Sequence, residues 1–281
     1  MAHQGDVILG EHLVRVDEHT IELAGAPAFY RSAVGPAATL YLHGVPTSSD
    51  DWVGPLARTG GMAVDMIGFG RSSKAGHLDY SIGGLADFIE RLLAELGIER
   101  QKLVAHDWGV PVALELALRD PLRFPRMGLI SPPPLLDGFT WPRSARLLRT
   151  RGLGELSMGA IGRRLFARAL RRASATPSAW PDERMSAVWE QFDQGTQRAT
   201  LRLLRLTDER WVSARAPDLG HLSVPTLILR GDRDTWAQDG LADAYAALLP
   251  GAQLEVIADA GHWPWLDRPE AIGTLEEFLR T

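Results

Sequence analysis

The sequence contains no cysteine, which excludes disulfide bonds, thiolate metal ligands and a cysteine nucleophile. It has no excess of basic residues: 30 Lys and Arg stand against 35 Asp and Glu, so the charge does not predict a nucleic-acid partner. No apolar run approaches the roughly 18 residues that a membrane-spanning helix needs. Residues 1–6 also lack the basic and apolar regions of a signal peptide. We therefore expect a cytoplasmic protein with no membrane partner.

The length and apolar content of the chain allow a large core. With 281 residues, 45% of them hydrophobic, the chain can form one large α/β domain with an insertion. Strand patterns alternate with helical patterns before residue 132 and again after residue 223, which is typical of a mostly parallel sheet. Between these parts lie only amphipathic stretches rich in Arg, Ala, Leu and Trp. We predict an α/β core formed by residues 1–134 and 221–281, with an inserted helical cap at residues 135–220.

Local periodicity predicts the individual elements. Residues 12–16 and 20–24 alternate between apolar and polar side chains around a short polar stretch, which predicts an antiparallel hairpin. Further strands are predicted at residues 29–32, 38–42, 62–66, 102–106, 127–131, 224–230 and 254–257. Helices are predicted at residues 81–96, 109–119, 241–248 and 269–279.

One segment carries the clearest chemical signal. Asp107 follows a predicted strand, has the small residues Ala105 and Gly109 two positions away on either side, and precedes a helical pattern. This arrangement is typical of a nucleophile elbow, a sharp strand–turn–helix connection, although the central residue is usually serine. A carboxylate in that position would form an ester with a carbon atom of the substrate. The simpler interpretation is that Asp107 caps the following helix, because Asp is a favoured N-cap residue.

Later loops supply two partners in the chain order nucleophile, acid, histidine. His262 follows the last predicted strand, and both Asp232 and Asp234 follow the strand before it. We favour Asp234 as the residue that orients the histidine, because Asp232 lies closer to the strand and is suited to making the turn. The loop after the strand predicted at residues 127–131 is a second possible source of this acid, but it has Ser131 in place of a carboxylate.

The stretch His-Gly-Val-Pro at residues 43–46 predicts an anion site. Acyl-type chemistry needs two backbone N–H donors aimed at the oxygen that gains charge, and the amides of Val45 and Trp108 are the candidates. We interpret His43 as a brace for this loop rather than as a proton carrier. Without the elbow, the same stretch would predict only an ordinary turn. The side chains that we predict to border the substrate are those of Trp108, His43, Trp141 and Trp189.

Together these segments resemble the α/β-hydrolase fold superfamily, and within it the Asp-nucleophile branch of epoxide hydrolases and haloalkane dehalogenases. The stretches that carry the resemblance lie at residues 42–49, 65–72, 104–109 and 261–264. The resemblance implies a mostly parallel eight-stranded sheet flanked by helices and a monomer or homodimer. It also implies a small apolar organic substrate, water as the second reactant, and no cofactor or metal.

The residue types imply a mechanism of two steps. Asp107 attacks an sp3 carbon and displaces an epoxide oxygen or a halide, which leaves an alkyl ester on the enzyme. His262, held by Asp234, then activates a water that attacks the ester carbonyl. The tetrahedral intermediate would be stabilised by the amides of Val45 and Trp108.

Two leaving groups remain open. Epoxide hydrolases of this branch place two cap tyrosines over the oxygen, but the tyrosines of this sequence all lie outside residues 135–220, at Tyr30, Tyr41, Tyr80 and Tyr245. Haloalkane dehalogenases need two N–H donors; Trp108 is the first, and Val45 stands where many of them have Asn. The second donor would be one of the cap tryptophans Trp141, Trp180, Trp189 and Trp211. We place epoxide hydrolysis to vicinal diols first, because the Gly-His-Trp motif and the missing Asn favour it, and halide release second.

Other classes fit less well. Fluoroacetate-type dehalogenases have arginines beside the nucleophile, where this sequence has Trp108 and Val110. A serine esterase would need a serine at position 107. A non-catalytic binding protein would not need Asp107, Asp234 and His262 together. The predicted cap holds fifteen Arg and no Lys against nine Asp and Glu, and we expect these arginines to cover apolar helix faces and to pair with acids of the core.

Overall fold

A computed structural model describes residues 6–9 and 12–280. The strands, in chain order, are β1 (Asp6–Leu9), β2 (His12–Arg15), β3 (Asp17–Leu23), β4 (Ala26–Ala33), β5 (Thr39–Leu42), β6 (Gly61–Val64), β7 (Lys102–His106), β8 (Met127–Ile130), β9 (Thr226–Gly231) and β10 (Gln253–Ile257). The α-helices are α1 (Val53–Thr59), α2 (Ile82–Glu95), α3 (Gly109–Arg119), α4 (Arg143–Arg149), α5 (Leu153–Gly159), α6 (Arg163–Ala173), α7 (Asp182–Gln191), α8 (Gln194–Leu206), α9 (Ala216–Leu219), α10 (Leu241–Leu248), α11 (Pro264–Asp267) and α12 (Glu270–Arg280).

Eight strands form one sheet with the spatial order β10-β9-β8-β7-β5-β6-β4-β3. The six strands from β10 to β6 are parallel, whereas β4 runs antiparallel to β6 and β3 runs antiparallel to β4. The predicted α/β fold class with a mostly parallel eight-stranded sheet is therefore confirmed. The carboxyl ends of β5, β7, β8 and β9 lie side by side, so the loops that follow them meet at one edge of the sheet.

Helices cover both faces of the sheet. On one face, α2 and α3 bury side chains such as Ile89 and Leu114, and on the other face α1 and α12 bury Leu56 and Leu279. This double cover explains why β5 and β8 are buried along their whole length and are apolar without alternation. Each fully buried Leu or Ile contributes roughly 1.5–3 kcal/mol to folding. This packing gives the loops that carry chemistry a rigid support.

The predicted hairpin between residues 12–16 and 20–24 is wrong. Strand β2 pairs instead with β1 in a separate two-stranded antiparallel sheet, and β3 pairs with β4. The turn between β3 and β4 is Ala24-Gly25, and both residues have positive φ, at 52° and 79°. Two consecutive residues of positive φ match the twist of a tight hairpin, so this pair makes the turn. The polar residues 17–19, which we assigned to a turn, instead continue β3 at the edge of the sheet.

Between β8 and β9 the chain forms a segment, residues 135–220, that contains α4 to α9 and has no strand among its described residues. We call it the helical segment; its limits as a separate domain remain a prediction. Its helices are amphipathic: α6 buries Phe166 and Leu170 and exposes Arg164 and Arg168. Two further arginines reach acids of the core, in the pairs Arg184–Asp51 and Arg215–Glu115.

Among the described residues, 6–9 and 12–280, no helix is both long enough and apolar enough to cross a bilayer.

Candidate active site

Asp107 occupies the sharp turn between β7 and α3. Its φ angle is 46°, in the left-handed region that costs a non-glycine residue about 1–3 kcal/mol. The turn is tightly packed, since a Cβ atom on Gly109 would lie 2.7 Å from the carbonyl oxygen of Leu42. A Cβ atom on Gly44 would lie 2.7 Å from the Cβ atom of Asp107. The two glycines therefore allow the loop after β5 to approach the strained residue.

The carboxylate of Asp107 does not cap α3, because the first turn of that helix has no side-chain cap. Instead, Oδ2 of Asp107 accepts a hydrogen bond from the backbone N–H of Val45 at 3.0 Å. The backbone N–H of Trp108 lies near this carboxylate and acts to lower its pKa. Burial raises the pKa of the Asp107 carboxyl, against the effects of His262 and these two amides. Both amides named from the sequence therefore lie beside the Asp107 carboxylate, and that of Val45 donates to Oδ2.

His262 lies opposite Asp107, on the loop after β10. Its Nδ1 atom is 2.9 Å from Oδ2 of Asp234, and its Nε2 atom is 4.0 Å from Oδ1 of Asp107. Burial alone would lower the pKa of His262, but the neighbouring carboxylates, Asp234 above all and also Asp107, together outweigh this effect and raise the pKa above its ordinary value. Burial would likewise raise the pKa of Asp234, but the charge and hydrogen bond of His262 hold it at about 2. The three side chains therefore form an Asp–His–Asp arrangement with Nε2 facing the first carboxylate.

The two acids of the loop after β9 have different surroundings. Asp234 is fixed by the backbone N–H groups of Trp236 and Ala237, which both donate to Oδ1 at 2.9 and 3.2 Å. This leaves Oδ2 of Asp234 for the imidazole. Asp232 instead accepts the backbone N–H of Ala260 at 3.2 Å and joins the loops after β9 and β10.

The loop of His262 is also held directly against the helical segment. The backbone N–H of His262 donates to the carbonyl oxygen of Ala173 at 2.7 Å. A Cβ atom on Gly261 would lie 2.2 Å from that same oxygen, so only glycine fits there. The buried carboxylate of Asp267 accepts the backbone N–H groups of Gly261, Ala175 and Thr176 at 2.7–2.9 Å. The end of α6 and the histidine loop therefore form one hydrogen-bonded unit.

A cavity of about 370 Å³ opens above Asp107. This volume is within the range of roughly 300–1,000 Å³ that is usual for small-molecule sites. The residues that line it are Val45, Asp107, Trp108, Pro133, Pro134, Trp141, Pro142, Ser144, Ala145, Leu148, Thr200, Leu204, Thr235 and Trp236. The side chains of the cavity wall are apolar or aromatic, apart from the carboxylate of Asp107 and three hydroxyl groups. Such a wall suits an apolar substrate.

The tryptophans named from the sequence occupy different places. Trp108 and Trp141 both line the cavity, and their rings stack with centroids 5.7 Å apart and an interplanar angle of 7°. The Nε1 atom of Trp141 is buried and has no hydrogen-bond partner among the described residues. Trp189 does not line the cavity, because its ring packs against Phe166 and Phe192 inside the helical segment.

His43 also lies outside the cavity, although we named it among the residues bordering the substrate. Its ring is fully buried, with Nε2 accepting the backbone N–H of Met66 at 3.0 Å. Nδ1 then donates to the carbonyl oxygen of Gly44 at 2.7 Å. Burial lowers the pKa of His43, which favours the neutral ring that this pair of bonds requires. Its geometry is that of a brace for the loop after β5.

Trp236 is a site residue that the sequence interpretation missed. Its ring lines the cavity and lies 4.6 Å from the ring of His262. Its backbone N–H donates to Asp234, so one residue contacts both members of the pair. The only sequence signal is its position, two residues after Asp234, and a tryptophan there could equally have been a packing residue.

Comparison with known proteins agrees with this geometry. Residues 39–269 match the alpha/beta hydrolase fold family. A haloalkane dehalogenase of Mesorhizobium japonicum is 29% identical over 265 residues, which cover 86% of this chain and 83% of that protein. Epoxide hydrolase 3 of Mus musculus is 26% identical over 282 residues, covering 92% and 76%. The crystal structure of haloalkane dehalogenase DbeA from Bradyrhizobium elkani USDA94 is 26% identical, with a TM-score of 0.81 over 94% of this chain and 97% of that one.

The chain therefore belongs to the alpha/beta hydrolase fold family, and it is a hydrolase of that family. The predicted resemblance to the Asp-nucleophile branch is confirmed by its similarity to both a haloalkane dehalogenase and an epoxide hydrolase.

Proposed function

We propose that this hydrolase is a dehalogenase of haloalkanes, which forms an alkyl ester on Asp107 and releases a halide and an alcohol. The observation that carries the proposal is the pair of stacked indoles, Trp108 and Trp141, that line the cavity over Asp107, together with the buried Nε1 atom of Trp141, which has no hydrogen-bond partner among the described residues. An indole N–H is a donor without an acidic proton to lose. It suits a halide, which leaves as a stable anion and needs hydrogen-bond donors but no acid.

An epoxide oxygen leaves as an alkoxide and needs a proton, and the cavity wall has few groups to supply one. None of the four tyrosines lines the cavity, and the hydroxyl of Tyr245 donates to the carbonyl oxygen of Pro133. The hydroxyls of Thr200 and Thr235 donate to the carbonyl oxygens of Thr196 and Arg172. These contacts favour a halide over an epoxide oxygen as the leaving group, although we placed epoxide hydrolysis first from the sequence.

In the first step, a carboxylate oxygen of Asp107 attacks the carbon that carries the halogen, and the carbon–halogen bond breaks. The halide leaves with the bonding electron pair, and the indole N–H groups of Trp108 and Trp141 stabilise it. No base is needed, because the carboxylate is already ionised when it attacks. The two products of this step are the ester on Asp107 and the free halide.

In the second step, Nε2 of His262 accepts a proton from water while the water oxygen adds to the carbonyl carbon of the Asp107 ester. The negative oxygen of the tetrahedral intermediate accepts the N–H groups of Val45 and Trp108. The intermediate collapses, the alcohol leaves with the proton from His262, and the carboxyl group of Asp107 is regenerated. One proton passes to solvent in each turnover, balancing the released halide.

Epoxide hydrolysis is the second candidate. It is supported by the 26% identity with epoxide hydrolase 3 of Mus musculus. The hydroxyl of Ser144 also lines the cavity and has no partner among the described side chains and backbone, so it can donate to an epoxide oxygen. A serine hydroxyl is a weak acid, which makes it a poor substitute for a pair of tyrosines.

The deciding experiment measures bromide release from 1-bromobutane and diol formation from styrene oxide with the same enzyme preparation. The proposal predicts bromide and butanol in equal amounts, with both products absent for the Asp107→Asn variant. Diol formation without bromide release would replace the proposal with the second candidate. Release of neither product, by a folded enzyme over a panel of haloalkanes and epoxides, would overturn both.

A further inference from the structure

A buried carboxylate links the helical segment to the loop of His262, outside the cavity described above. The side chain of Asp51, in the turn after β5, is only 1% exposed. Its Oδ1 atom accepts Nη2 of Arg184, on α7, at 2.6 Å. Its Oδ2 atom accepts Nε1 of Trp263 at 3.2 Å. One carboxylate therefore bridges two parts of the chain that are distant in sequence.

Trp263 is the residue that follows His262, and its ring is fully buried. The two rings pack edge to face, with centroids 4.8 Å apart and an interplanar angle of 87°. On another side, Trp180 of the helical segment packs against Trp263 at 4.8 Å, and Arg184 lies over Trp180 at 5.0 Å. A shift of the Trp263 ring would therefore displace the imidazole.

A charge as buried as that of Asp51 needs a compensating partner, because desolvation disfavours an isolated carboxylate. Arg184 supplies the opposite charge at Oδ1, and the indole N–H of Trp263 donates a hydrogen bond to Oδ2. The backbone carbonyl of Asp51 is also bonded, to Nε1 of Trp265 at 3.1 Å. Two tryptophans of the segment after β10 thus donate to one residue of the loop after β5.

We propose that Arg184, Asp51 and Trp263 form a positioning relay, which holds the imidazole of His262 in the orientation needed to hydrolyse the ester on Asp107. Through this relay α7 contributes to the second step of the reaction, although it does not line the cavity over Asp107. The proposal rests on the two-step mechanism given above.

The first test needs no substrate and follows the titration of His262 by NMR. The charged and titratable groups that face its ring are Asp234, Asp107, Asp51 and His106. Burial holds the pKa of His106 well below its ordinary value, so that ring stays neutral. Asp51→Asn removes a negative charge and should lower the pKa of His262. Arg184→Gln leaves the charge of Asp51 without its partner and should raise that pKa.

A purely structural role would not move this pKa in opposite directions in the two variants. The matched control is Arg210→Gln, which removes another arginine of the helical segment from an ion pair, Arg210–Asp137 at 3.9 Å, whose two side chains are both mostly exposed. The control should leave the titration unchanged. Shifts of the same sign in Asp51→Asn and Arg184→Gln, or no shift in either, would overturn the relay.

The second test separates the two chemical steps with 1-bromobutane in rapid-quench experiments. Trp263→Phe keeps an aromatic ring but removes the N–H donor to Asp51. The rate of the bromide burst should stay within about twofold of the wild-type rate. Ester hydrolysis should slow by about tenfold or more, which is less than the full contribution of a general base, because the base is displaced and not removed. The ester should then accumulate, visible as added mass on the intact protein.

Equal slowing of both steps in Trp263→Phe would overturn the relay, because it would indicate a general loss of active-site structure. Thermal unfolding of each variant establishes that it is folded; if Arg184→Gln unfolds, Trp263→Phe and Asp51→Asn carry the tests. Failure of the proposed function gives a different result: wild type then releases no bromide, while the NMR titrations still decide whether Asp51 and Arg184 act on His262.

Discussion

The Nε2 atom of His262 lies 4.0 Å from Oδ1 of Asp107 and has no hydrogen-bond partner within the described chain. This separation is beyond the usual 2.7–3.2 Å of a direct hydrogen bond. The histidine therefore does not hold the carboxylate, which accepts a hydrogen bond from the amide of Val45 instead. A nitrogen at this distance can accept the proton of a water that attacks an ester on Asp107. In the proposed mechanism, this geometry suits His262 to the second step.

Replacing His262 with Gln should trap the ester. General-base catalysis contributes roughly 10²–10⁴-fold, so hydrolysis of the ester should slow by about that factor while its formation continues. Mass spectrometry of the intact protein, after incubation with 1-bromobutane, should show one added butyl group. The double variant Asp107→Asn with His262→Gln is the control and should show no added mass. Absence of the adduct in the single variant would exclude the ester on Asp107.

Replacing Trp141 with Phe should impair the first step. The substitution keeps a ring stacked on Trp108 but removes the Nε1 donor, and loss of one such donor typically costs about 10²-fold or more in rate. The bromide burst should slow, and quenching of protein fluorescence by added bromide should need a higher concentration. Trp189→Phe is the matched control, because Trp189 lies in the same helical segment away from the cavity. An equal effect in both variants would contradict a halide site at Trp141.

The pH dependence of the two steps should differ. Although burial acts to lower the pKa of His262, Asp234 and Asp107 raise it above its ordinary value. The imidazole is neutral and able to accept a proton only above that pKa, so ester hydrolysis should weaken as pH falls through it. The fraction of enzyme present as ester should then rise at acidic pH, as measured by quenching the steady-state reaction for mass analysis. A single-turnover rate of ester hydrolysis that does not decrease as the pH falls would exclude His262 as the base.

Replacing Gly44 with Ala should damage the site. The added methyl group would lie 2.7 Å from Cβ and 2.9 Å from Oδ2 of Asp107, and overpacking of this kind typically costs about 1–3 kcal/mol. Both thermal stability and the bromide burst should therefore decrease. Gly54→Ala is the control, since a methyl group at this position of α1 would have no other atom within 4 Å. That change should raise stability by up to about 1 kcal/mol and leave activity intact.

The elements nearest the chemistry were predictable because their signals are local. The small residues around Asp107 indicate a tight turn on their own. The middle residues of β5, β7 and β8 are apolar because helices cover both faces of the sheet. At the N-terminus the same kind of local pattern allowed two pairings. The turn at Ala24-Gly25 selects the pairing of β3 with β4. Both residues have positive φ angles, and alanine, unlike glycine, gives little indication of such an angle in the sequence.

The orientation of side chains from the helical segment was not predictable. Trp141 and Trp189 are the same residue type, but Trp141, just before α4, lines the cavity, whereas Trp189, on α7, packs against Phe166. The contact between Asp51 and Trp263 joins residues 212 positions apart in sequence. Sequence periodicity predicts helices and strands, but it cannot predict a contact between two such distant residues. His43 was predictable as a brace, but its complete burial depends on the loop after β6 that contains Met66.

The hydrogen bond from the backbone of His262 to Ala173 has an evolutionary consequence. A foreign segment exchanged into this enzyme by recombination would need to reproduce the main-chain path of residues 173–176, or the loop of His262 would lose its support. Point substitutions at wall positions such as Ser144 and Leu148 carry no such requirement. New substrate ranges in this lineage should therefore arise through gradual change of the cavity wall, with the junction at Ala173 inherited intact.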